Sequence, residues 1–121
     1  MKTDRVKLAA FDDARMGIAR TAMPILCELY TDAMRDHETY GYLEDDIFAL
    51  VDYASSMIAP SSLTYEHLVS NTKIALKRLD RLRKDCTAGH RSHNRVINML
   101  NVVGRHMKLC LSAAIILDAE D

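Results

Sequence analysis

Residues 96–117 read VINMLNVVGRHMKLCLSAAIIL, and within them Val96, Leu100, Val103, Met107, Cys110, Ala114 and Leu117 recur at alternating spacings of four and three. An α-helix returns to the same side every turn, whereas a strand sends successive side chains to opposite faces. This stretch therefore predicts a helix with one continuous apolar stripe. Val102, Leu109, Ala113 and Ile116 lie alongside and widen the stripe beyond what one neighbouring helix covers. Asn101, Arg105, Lys108 and Ser112 form the narrow polar strip that is left. Such a surplus belongs either to the central helix of a bundle or to a seam between copies of the chain.

Upstream, the same alternation runs through Tyr65, Leu68, Thr72, Ala75, Leu79, Leu82 and Cys86, backed by Val69 and Leu76. Between these two helices, Gly89 suits the left-handed residue that closes a helix, and Ser92 suits the cap that opens the next. A further helix is expected over about residues 43–58, with Leu43, Ile47, Leu50, Ala54 and Ile58 as its stripe. Glu44, Asp45 and Asp46 fall in its first turn, where carboxylates face the positive end of the helix dipole. Pro60 bars its continuation, and Ser62 or Thr64 can cap the helix that begins near Tyr65.

The first piece, from about Asp4 to His37, is apolar on two sides. Phe11, Ile18, Ala22, Ile25 and Leu29 share one arc and are the expected core face; Met16, Met23, Cys27, Tyr30 and Met34 share another. Pro24 lacks an amide hydrogen and its ring crowds the preceding turn, so this helix is expected to be kinked or split there. The sum is an all-α fold: a compact bundle of about four helices with no sheet, forming a single helical domain over 1–121.

Composition narrows the class. The 121 residues are 49% hydrophobic and 27% charged, an ordinary globular balance. The N-terminal residues are too polar for a secretory signal, and the longest near-continuous apolar stretch, Leu109 to Leu117, is shorter than the roughly 20 residues of a membrane span. A cytoplasmic protein without a membrane helix is the expectation. Three cysteines with no CxxC fit a reducing compartment rather than a disulfide framework. Charge is uneven: Asp36 to Thr72 holds seven acidic residues and no Lys or Arg, whereas Lys73 to Lys108 holds ten basic residues against Asp80 and Asp85.

Residue type and spacing bear on several chemistries. Cys86, His90 and His93 stand at i, i+4 and i+7, a spacing that would align three zinc-type ligands on a helix, but Gly89 interrupts it and no fourth ligand is marked. No glycine-rich phosphate cradle, GxSxG or HExxH occurs, so neither an enzyme nor a cofactor is expected. Lys73, Lys77, Arg81 and Lys84 could contact nucleic-acid phosphates, but every aromatic residue lies at or before Tyr65, so no stacking platform accompanies them. The leading expectation is a small homodimeric regulatory protein that binds and occludes a protein partner, as an antiactivator or adaptor does to a transcriptional regulator. In it Met16, Met23, Cys27, Tyr30 and Met34 meet the partner, because methionine-rich faces adapt to what they bind. Val102, Leu109, Ala113 and Ile116 form the dimer seam. The alternatives are a nucleic-acid-binding regulator that uses the basic helix, and a helical sensor of a metal or small ligand.

Overall fold

The computed structural model describes residues 5–59 and 64–120. Pro60 and Ser62, expected to end one helix and to cap the next, lie outside them. The first rod is α1 (Arg5–Gly17), a wide π turn (Ile18–Ala22) and α2 (Met23–Arg35). The expected break at Pro24 takes the form of that π turn. Met23 donates its amide hydrogen to the Ile18 carbonyl, five residues back, just before the proline that cannot donate. The turn holds an additional residue, and this changes the phase of everything after it. The buried face becomes Phe11, Ile18, Ala22, Leu26, Leu29 and Ala33, so the expectation for Ile25 is corrected: Leu26 points inward and Ile25 is half-buried at the margin.

A one-turn helix, α3 (His37–Tyr40), and a 3-10 turn (Gly41–Leu43) lead into α4 (Glu44–Ile58). Asp36 caps α3 by accepting from the Thr39 amide at 3.3 Å. Thr64 caps α5 (Tyr65–Asp85), its hydroxyl accepting from the His67 amide at 3.2 Å. Gly89, with φ of 62°, makes the expected left-handed turn before α6 (Asn94–Asp118). Ser92 is not the cap of α6. His93 holds that position without a side-chain bond to the helix, because its ring is engaged elsewhere and its amide donates back to the Cys86 carbonyl at 3.1 Å.

Helix α6 lies against α5 on one side and α1 on the other, and α4 bridges α2 and α5. Lys7 pairs with Glu120 and Gly17 abuts His106, so α1 and α6 run antiparallel. All seven residues of the α6 stripe are buried, as is the α5 stripe from Leu68 to Cys86. Thr72 interrupts that stripe without penalty, its hydroxyl donating to the Leu68 carbonyl at 2.6 Å. Gly104 allows the α5/α6 contact to close, since a Cβ there would come within 2.9 Å of a Leu79 methyl. The far end of α4 is held by Arg15 of α1, which donates to the Met57 carbonyl at 3.0 Å and the Ile58 carbonyl at 2.6 Å. These are among the last carbonyls of a helix, which lack partners of their own.

By length and composition α6 could cross a membrane, with a mean hydropathy of 1.4 over 18 residues, a test that the core helix of a bundle also passes. The nine-residue expectation understated this because apolar residues continue on both sides of Arg105 and Lys108. Leu79→Asp and Val103→Asp each place a charge in the sealed α5/α6 seam. Against a total stability of about 5–15 kcal/mol, each is expected to abolish the cooperative thermal transition followed by circular dichroism.

Candidate functional site

Among the described residues, two grooves lined mainly by apolar side chains bear on the expected sites. The first runs between α2 and α4, about 320 Å3 in volume, lined by Cys27, Tyr30, Thr31, Phe48 and Val51. Helical spacing puts Cys27, Tyr30 and Thr31 on one side of α2, and Thr31 spends its hydroxyl on the Cys27 carbonyl at 2.9 Å. The rings of Tyr30 and Phe48 meet at 6.3 Å across the groove. Of the five residues expected to meet a partner, Cys27 and Tyr30 line this groove. Met34 is 57% exposed, Met23 is half-buried against the core, and Met16 lines a separate small recess with Asp12, Arg15 and Ile58. Phe48 and Val51 were missed. The available signal was Phe48 itself, a large apolar residue one position off the α4 stripe, beside Ile47.

The second groove, about 490 Å3, lies between α1 and α6. Ala10, Asp13, Ala14 and Gly17 form one wall, and His106, Leu109, Ser112, Ala113 and Ile116 the other. Small residues on α1 keep it open, and Gly17 is needed because a Cβ would lie 2.6 Å from Nδ1 of His106. Leu109, Ala113 and Ile116 of the expected dimer seam are all here, while Val102 is half-buried and outside the groove.

The basic set is less available than its charge suggests. Lys73, Lys77, Arg81 and Lys84 are all exposed on α5, but Arg81 donates to Asp46 at 3.1 Å and its neighbour Arg78 donates to the same carboxylate at 2.7 Å. The acidic start of α4 thus neutralises part of α5 within the chain. Arg95 is likewise tied to Asp32 at 2.6 Å.

Cys86, His90 and His93 do not share a helical face, because α5 ends and the chain turns at Gly89. Among the described residues no three His, Cys, Asp or Glu side chains are placed to hold a metal. Nδ1 of His93 instead meets the Tyr42 hydroxyl at 2.6 Å, and the Arg91 guanidinium lies 3.8 Å over the Tyr42 ring. Burial, followed by a hydrogen bond to Cys86, raises the pKa of the Tyr42 hydroxyl, and burial raises that of the Cys86 thiol. Together they latch the α3/α4 corner onto the α5/α6 turn.

Burial also pushes the Cys110 thiol up to about 11. A thiol held protonated is a poor nucleophile. A thiol reagent at neutral pH is therefore expected to modify exposed Cys27 at once, and Cys86 and Cys110 only on unfolding. Folded Cys110 keeps its proton to about pH 11, against an ordinary value of 9.0, so it contributes stability below pH 9 that is lost between 9 and 11. Cys110→Ala should flatten part of the alkaline decline in denaturation midpoints. No protein family, curated protein or solved structure matches the chain.

Proposed function

We propose that this chain is a protein-interaction protein of regulatory type, which acts by occupying a surface of its partner as an antiactivator or adaptor does. The observation that carries this reading is where the large apolar side chains left in water are found. Phe48 is 57% exposed at the α2/α4 groove, and Leu109 and Ile116, at 55% and 47%, lie on the α1/α6 groove, whereas Val6, Met16, Met34, Ile74 and Ile115 are exposed outside both. Apolar surface that lines a groove, unlike a single exposed side chain, is the kind that another chain covers. The α1/α6 groove is assigned to a second copy and the α2/α4 groove to the partner.

Two features support that division. Leu109, Ala113 and Ile116 are aliphatic residues on one long helix, backed by small residues of α1, a fixed surface suited to a permanent twofold seam. The α2/α4 groove carries aromatic and sulfur-bearing side chains and has Met34 nearby in sequence, a softer surface suited to exchange. The alternative of a nucleic-acid regulator is weakened by the engagement of Arg78 and Arg81 with Asp46.

Light scattering tests the seam. The parent chain is expected to give a dimer mass at micromolar concentration, and Leu109→Glu a monomer with an unchanged circular dichroism spectrum. A parent that is monomeric at high micromolar concentration removes the dimer. For the partner surface, Phe48→Glu should leave the fold and the dimer intact and abolish capture of a protein that the parent retains from its host.

A further inference from the structure

We propose that the α2/α4 groove receives an amphipathic helix of basic character, with one apolar stripe flanked by Lys or Arg. This rests on the reading of that groove as the partner surface and adds the chemistry of what fills it. Along α4, Asp45, Phe48 and Asp52 stand at i, i+3 and i+7, so one exposed ring is bracketed by two exposed carboxylates on the same side of the helix. Among the described residues neither carboxylate has an ion-pair partner. Asp46, next to them in sequence, is held by Arg78 and Arg81. The α4 wall has no cation of its own, since Asp36 to Thr72 contains no Lys or Arg; Asp45 and Asp52 stand beside Phe48 just outside the lining, and Arg35 of α2 and Arg20 of the π turn are outside the lining as well.

The dimensions agree with that occupant. A volume of about 320 Å3 holds a few side chains, as in grooves that take anchor residues one turn apart from a docked helix. Cations flanking those anchors would pass Asp45 and Asp52. The basic helix α5 of a second copy fits less well, and the copy's apolar helix α6 is taken up, on the reading above, by the α1/α6 groove. Its basic helix α5 exposes Ile74 as its one large apolar side chain, between Lys73 and Lys77, and offers no second anchor a turn away.

The test uses the full chain and two synthetic helical peptides with the same Leu stripe and a single Trp, one flanked by Lys and the other by Glu. The chain has no Trp, so peptide fluorescence reports binding alone. The Lys peptide is expected to bind about tenfold tighter than the Glu peptide at low salt, with the gap narrowing as salt rises. Asp45→Lys with Asp52→Lys should reverse the preference, and Phe48→Ala should weaken both peptides while leaving the circular dichroism spectrum unchanged. Equal affinities, or a preference for Glu, overturn the basic helix but leave the groove as an interaction surface. If neither peptide binds, or if Phe48→Ala changes nothing, the underlying reading of the groove fails as well. If the parent self-associates and Phe48→Ala and Ile74→Glu each dissolve that assembly, a second copy is the occupant and the proposal is wrong.

Discussion

The rest of the structure depends on the seam along α6, where one apolar stripe must serve both α5 and α1. Fully burying a Val, Leu or Met side chain contributes roughly 1.5–3 kcal/mol, and α6 buries Val96, Leu100, Val103, Met107 and Leu117 in this way. The close approach at Gly104 brings Leu79 into that seam, and the one at Gly17 sets His106 against α1. With α5 and α1 both fixed to α6, α2 and α4 close the remaining side of the bundle. At the margins of α6, Leu109, Ile115 and Ile116 stay exposed among the described residues.

Charge is handled by the same economy. The basic stretch and the acidic stretch are separate in sequence but adjacent in the fold, since α4 packs on α5. Asp46 takes two arginines from across that contact. Isolated surface ion pairs are worth about 0–1 kcal/mol, so this arrangement does more to set which charges remain available than to hold the fold. What stays unpaired on α4 is Asp45 and Asp52 on its exposed face, and what stays free on α5 is chiefly lysine.

The fold was legible in the sequence wherever a stripe kept a constant period. The α6 and α5 stripes are buried residue for residue, apart from Tyr65 at the margin. Reading failed where local geometry changed the period or where a site needed two elements. Ile25 and Leu26 exchanged places because the π turn at 18–22 is set by Pro24, whose effect on phase a fixed 100° step cannot represent. Leu109, Ala113 and Ile116 of the α1/α6 groove were legible as surplus apolar residues because they lie beside the core stripe on one helix. The α2/α4 groove was half legible: Cys27 and Tyr30 announced themselves on α2, but Phe48 and Val51 join them only through the packing of α4, which no single-helix pattern contains. His93 was read as a candidate metal ligand and its contact with Tyr42 was not, for a similar reason, since Tyr42 lies 51 residues away.

Arg15 has one more role. It projects from the helix whose Ala10, Asp13, Ala14 and Gly17 wall the α1/α6 groove, and it grips the carbonyl end of the helix that carries Phe48 and Val51. A single guanidinium thus joins a wall of one groove to a wall of the other. Displacement of α1 strains two hydrogen bonds at the end of α4, and displacement of α4 strains the same two. The position of α1 and the position of the end of α4 are therefore set together, through one side chain, rather than independently.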